Sequence, residues 1–189
     1  MAFKHPNHSL ETEYLAQDAA SDEKRELHNG EIYAMAGAKR NHVMIAGNVA
    51  ESFRRQLRGK HCTTFSSDLR VRVPQMTSYY YPDVVVVCGT ETIENETDLH
   101  NPTLIVEVQS GSTSNVDTDE KTVNYRTILS LQTYLLVSAK NHVITIHTRQ
   151  NDGWFLRDVV GVHSSIMIDS LGIVLSLEDV YENVMFDRP

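Results

Sequence analysis

The sequence predicts an α/β (α+β) fold in which a central mixed β-sheet is flanked by helices. Three observations carry that expectation. Val84-Val85-Val86-Val87-Cys88 is a β-branched run of the kind buried on both faces of a sheet. Thr103-Leu104-Ile105-Val106-Glu107-Val108-Gln109 is a second such strand, with one charge inside it. From His42 to Leu57 the apolar residues Ala46, Val49, Ala50, Phe53 and Leu57 recur at helical spacing.

Taken in order, residues 1–27 are polar and weakly patterned, and are expected to form an N-terminal extension, partly helical or loosely ordered. A single domain over residues 28–189 follows. His28-Asn29-Gly30-Glu31 is a turn signal before Ile32-Tyr33-Ala34-Met35, which suits a hairpin. Asn41 is the expected N-cap of the first long helix and Gly59 its stop. Asp68–Val73 alternates strictly, placing Leu69, Val71 and Val73 on one face, and Pro74 ends that strand. Glu91–Asp98 is expected to be a solvated acidic loop. A helix is expected over Asp117–Leu129, strands over Thr133–Ser138, His142–Thr148 and Trp154–Val160, and a short amphipathic helix over Leu177–Val184. This order does not fit an all-β sandwich, and no glycine-rich nucleotide loop follows any strand.

The chain has 189 residues, 41% hydrophobic and 22% charged, enough for one core and too ordinary for a disordered or coiled-coil chain. No apolar run approaches the roughly 20 residues of a membrane helix, and the N-terminus carries no apolar signal segment. The expected location is therefore cytoplasmic, with no membrane partner. Cys62 and Cys88, the 2 cysteines, are expected to be free thiols. With 17 Lys and Arg against 25 Asp and Glu the net charge is −8, which argues against tight non-specific binding of nucleic acid through broad phosphate attraction.

The strongest chemical signal is a pair of acids in apolar strands. Asp83 stands at the mouth of Val84–Val87, and Glu107 lies inside Leu104–Val108, where an ionised carboxylate is costly unless paired or metal-bound. Glu107 and Gln109 share a strand face, about 7 Å apart at ordinary rise. Either acid alone would be read as pairing an arginine or capping a turn. Both together point to a hard divalent cation, magnesium or manganese, which lets two neighbouring carboxylates stay ionised. Asp117, Lys121 and Tyr125 share one helix face at i, i+4 and i+8; on helix chemistry alone this is a solvated face with an ordinary ion pair. His42 at the start of the first long helix and Glu31 after the hairpin turn are further cleft candidates. Arg54–His61 is the most basic stretch and reads foremost as a solvated helix end. Ser110–Ser114 lacks the spacing of a nucleophile or phosphate loop.

Asn101-Pro102-Thr103-Leu104-Ile105-Val106-Glu107-Val108, then Ser110-Gly111-Ser112-Thr113, Asp117, Glu120-Lys121 and Tyr125 resemble the Uma-type family of restriction endonucleases, within the PD-(D/E)XK nuclease superfamily. Gly30–Gly37, His42, Phe65–Asp68, Tyr81-Pro82-Asp83 and Ser130–Tyr134 extend the resemblance over about residues 28 to 181. It implies a restriction-endonuclease-like core and a magnesium- or manganese-dependent site acting on DNA. Pro82-Asp83 matches the superfamily's PD, and Glu107-Val108-Gln109 its (D/E)XK, with Gln109 where lysine is usual. Lys121 looks like the relocated lysine of related nucleases. The implied metal ligands are Asp83, Glu107 and the Val108 carbonyl, with Gln109 and Lys121 completing the catalytic set. A homodimer is expected by analogy with enzymes that cut both strands of a duplex. Two other readings stand beside this one: a catalytically inactive nuclease fold serving as a nucleic-acid-binding or regulatory module, and an oligomeric interaction protein using Tyr79-Tyr80-Tyr81 and the C-terminal helix as contact surfaces.

Overall fold

The two apolar runs lie side by side at the centre of the molecule, as strands with no polar face must. The structure, a computed structural model, describes residues 8–35, 37–109, 115–151 and 153–186, and the side chains of residues 8, 9 and 115–118 lie outside that description. In chain order the elements are α1 (His8–Ala19), β1 (Arg25–His28), β2 (Glu31–Ala34), α2 (Arg40–Leu57), β3 (Cys62–Ser66), β4 (Arg70–Val73), β5 (Ser78–Tyr80), β6 (Val84–Cys88), β7 (Ile93–Glu94) and β8 (Asp98–Leu99). They continue with β9 (Leu104–Gln109), α3 (Asn115–Arg126), β10 (Thr133–Ser138), β11 (Val143–Gln150), β12 (Gly153–Val160), β13 (Ser165–Ile168), β14 (Ile173–Ser176) and α4 (Leu177–Val180).

The central sheet has the order β12-β11-β10-β9-β6-β3, and its only parallel pair is β9 with β10. Parallel neighbours need a crossover, and α3 supplies it. A second sheet, β2-β1-β5-β4-β8-β7, and the hairpin β13–β14 complete the mixed α+β architecture.

Side-chain alternation divides the central sheet between two cores. Val84, Val86, Leu104, Val106 and Val108 face α2 through Ile45, Val49 and Phe53, and the same cluster takes in Ile166 and Leu175 of the β13–β14 hairpin. Val85, Val87, Ile105 and Tyr134 face the other way, against Tyr125 of α3 and Val71, Val73, Tyr80 and Leu99 of the second sheet. Each large side chain taken fully out of water contributes about 1.5–3 kcal/mol. The hairpin at Asn29-Gly30 forms as its sequence requires, both residues having positive φ (51° and 91°).

Several expectations are corrected. Cys62 and Cys88 are joined by a disulfide rather than free. They are cross-strand partners in the β3–β6 ladder, a relation set by register that their separation of 26 residues does not disclose. Lys39, not Asn41, is the N-cap residue of α2 and makes no side-chain cap bond. The Asn41 amide instead donates to the Met185 carbonyl at 2.6 Å, fastening the C-terminal segment. The acidic loop is not wholly solvated: Asp98 is buried and accepts from Arg70 Nε at 2.6 Å, while the Arg70 guanidinium also holds Asp18. Tyr79, Tyr80 and Tyr81 are interior residues, so they offer no contact surface. The final helix is a single turn, Leu177–Val180. Among the described residues no helix is long and apolar enough to cross a membrane.

Candidate active site

The β6–β9 ladder ends at Val84↔Val106, and the site forms where the two strands part. Continued by one residue, that antiparallel register sets Asp83 beside Glu107. Asp83 bridges two elements there. Its Oδ2 accepts from the Val108 backbone N–H at 2.7 Å, and its Oδ1 lies 2.6 Å from His42 Nε2 on the first turn of α2. In an extended strand the N–H and C=O of one residue leave on the same side, so the Val108 carbonyl faces the gap left by the ended ladder. Glu107 projects toward α3, whose Tyr125 hydroxyl donates to its Oε1 at 2.8 Å.

Lys121 stands one turn before Tyr125 on the same helix. Its Nζ lies 2.6 Å from Glu26 Oε2 and 5.1 Å from the centre of the Tyr80 ring. The other oxygen of Glu26 accepts from the Tyr81 backbone N–H at 3.1 Å, two residues before Asp83. One carboxylate on β1 thus ties the lysine to the chain that carries the first acid. No sequence pattern singled out Glu26. The signal was the hairpin turn itself: a strand must precede Asn29-Gly30, and an acid in that strand had to be accounted for.

The electrostatics are those of an acid-rich site short of positive charge. Glu107 is pushed up from 4.5 to about 8, first by burial, which favours the neutral form. The Lys121 cation and the Tyr125 hydroxyl oppose this, while Asp83 and Glu26 repel its charge and raise it further. Tyr125 and Tyr134 are raised well above 10, burial being the main cause, so both stay as neutral hydroxyls.

Of the residues singled out from the sequence, Asp83, Glu107, Val108, His42, Lys121 and Tyr125 come together. Gln109 lies at the end of β9, partly buried and two residues from Glu107 on the same face. Glu31 is not brought in: it stays on the exposed strand β2, where its carboxylate accepts from the Tyr33 hydroxyl at 2.7 Å. The Asp117 side chain and the Ser110–Ser114 turn lie outside the described residues.

The donor set can be tested for a divalent cation. Among the described residues no three His, Cys, Asp or Glu side chains converge as a closed metal cage. Two carboxylates and one backbone carbonyl are what this geometry offers, with water to complete the shell. That is the incomplete oxygen set magnesium accepts, since it keeps several of its waters. Each Asp83 oxygen already accepts one bond and retains a second lone pair. The residues fit the group.

The family model described as "Uma2: Putative restriction endonuclease" matches residues 11–178. Two curated relatives come from Synechocystis sp. (strain ATCC 27184 / PCC 6803 / Kazusa). The uncharacterized protein slr1290 is 31% identical over 174 residues, 92% of each chain. The uncharacterized protein sll1609 is 32% identical over 157 residues, 82% of this chain and 89% of its own. Among solved structures, a crystal structure described as a putative nuclease belonging to DUF820, from Anabaena variabilis, superposes with a TM-score of 0.73 at 14% identity. It covers 90% of this chain and 98% of its own, a similarity of fold.

Proposed function

The chain belongs to the Uma2 family of putative restriction endonucleases, and from that premise we propose that it hydrolyses phosphodiester bonds of DNA with a divalent cation, magnesium or manganese. The observation that carries this is the meeting of Asp83 and Glu107 where β6 and β9 part, with Lys121 held nearby by Glu26. Asp83, Glu107 and the Val108 carbonyl would hold the cation. A cation held there would supply a water of lowered pKa and offset charge on the scissile phosphate.

The protein's own groups supply the rest. His42 orients the Asp83 carboxylate through its 2.6 Å contact, and the Val108 N–H fixes the other oxygen. Tyr125 orients Glu107. Lys121 contributes the positive charge that steadies the pentavalent phosphorus in the transition state, the role lysine takes on the strand where Gln109 stands here. Gln109 donates to or accepts from the attacking water. The active form is a homodimer, which presents two sites to a two-fold duplex.

The competing reading is a nuclease fold without catalysis, favoured by the missing strand lysine. Thermal unfolding with and without manganese separates the two. A catalytic site raises the melting temperature with millimolar manganese, and Asp83→Ala removes the rise. No rise in the wild type would favour the binding module.

A further inference from the structure

A second cluster stands on the same sheet face as Glu107, at the far end of α3. Cross-strand pairs Tyr134↔His147, His147↔Leu156 and Arg149↔Trp154 carry that face outward across β10, β11 and β12. Arg126, the last residue of α3, donates from Nη2 to His147 Nδ1 at 2.7 Å. Its guanidinium lies 5.9 Å from the Trp154 ring centre, and that of Arg149 4.5 Å.

This cluster gathers buried donors that have no acidic partner among the described residues. Arg55, Arg70 and Arg72 each hold a carboxylate. Among the described residues Arg126 and Arg149 hold none. Arg149 spends Nε and Nη2 on the neutral carbonyls of Leu131, Arg126 and Ile128, leaving Nη1 uncommitted. The Arg126 Nε–H is buried with no acceptor. His147 accepts at Nδ1 and therefore carries its proton on Nε2, which is also buried and unpartnered, in a side chain only 3% exposed. Burial holds both arginines below their ordinary range and pushes His147 down to about 4, which keeps the imidazole neutral. Two buried donors left without an acceptor, beside two arginines that meet no carboxylate, are costly, and an oxyanion is the missing component.

Resting on the nuclease reading, we propose that Arg126, Arg149, His147 and Trp154 form a clamp for the phosphodiester backbone of the nucleic-acid strand, outside the catalytic group. Glu107↔Leu136 and Leu136↔Thr145 are in register, so Arg149 stands two strands over and four residues along from Glu107. At ordinary strand spacing and rise that is about 16 Å, a few nucleotides from the scissile bond. Trp154 also lines an open surface depression of about 570 Å³ with Gln150, Asn151, Gly153 and Phe155 at the β11–β12 turn.

The test is binding without cleavage: fluorescence anisotropy of labelled single-stranded and duplex DNA in EDTA, over a series of salt concentrations. Arg126→Gln is expected to weaken binding roughly three- to tenfold, equally for unrelated sequences, and to flatten the plot of log K against log salt by about 0.7–0.9. Leu156 is exposed beside His147 and provides a second handle that leaves the core alone. Leu156→Glu should weaken binding and Leu156→Lys strengthen it. Wild-type affinity and slope in Arg126→Gln, or equal effects of the two Leu156 variants, would overturn the clamp. So would a melting-temperature rise with inorganic phosphate that Arg126→Gln abolishes while strand binding is unchanged, since the site would then serve free phosphate. Cleavage in manganese, measured separately, shows whether the nuclease reading stands or falls on its own.

Discussion

Replacing Glu107 by glutamine removes an ionisable group from an apolar strand while keeping its shape and its bond to Tyr125. A carboxyl of this type ionises near 4.5 in an unfolded chain, and burial in the metal-free fold pushes Glu107 up to about 8. Between those values the folded protein binds the extra proton, so the contribution of Glu107 to stability is full below pH 4.5 and is lost as pH rises through about 8. At about 1.36 kcal/mol per tenfold change in proton affinity, the loss is on the order of 5 kcal/mol. The assay is urea unfolding of wild type and Glu107→Gln in EDTA at pH 5, 7 and 9. The two proteins should differ little at pH 5, and the variant should be the more stable by several kcal/mol at pH 9. Subtracting the curves removes groups common to both, such as His147, whose lowered value works with the opposite sign. A difference that does not change with pH, or a variant less stable at pH 9, would refute the view that burial and the neighbouring acids burden Glu107.

Manganese should bind more tightly as pH rises from 6 to 8 and level off above, because it must displace the Glu107 proton; a pH-independent dissociation constant from calorimetry would contradict this. Tyr125→Phe loses the hydroxyl that donates to Glu107 and should cost about 1 kcal/mol, with the acid limb of the cleavage–pH profile displaced upward. Reducing the Cys62–Cys88 bridge should lower stability by about 2–4 kcal/mol, read from unfolding with and without reductant.

How much of this was legible in the sequence depends on the range of the interaction. Val84–Cys88 and Leu104–Gln109 announced themselves as central strands because burial on both faces leaves no room for polar residues. α2 was legible from its apolar spacing, and Asp83 and Glu107 because a charge in such strands demands a reason. What was hidden depends on pairing between distant segments. Nothing local to Cys62 says that Cys88 lies opposite it. Asp98 reads as part of an acidic loop until Arg70 is seen beside it in the parallel β4–β8 ladder. Glu26 falls in a stretch of weak pattern, and its importance to Lys121 appears only when β1 is placed against β5. Nothing local to Arg126 or Arg149 tells whether a carboxylate lies beside it, since that is a property of three dimensions.

The most direct measurement is cleavage of supercoiled plasmid by the purified protein in magnesium, in manganese and in EDTA, alongside Asp83→Ala and Lys121→Ala. Nicking or linearisation is expected with either metal, none in EDTA, and a loss of at least about 100-fold in rate in both variants. Plasmid, single-stranded DNA and RNA left intact by the wild type in every metal would contradict the nuclease reading.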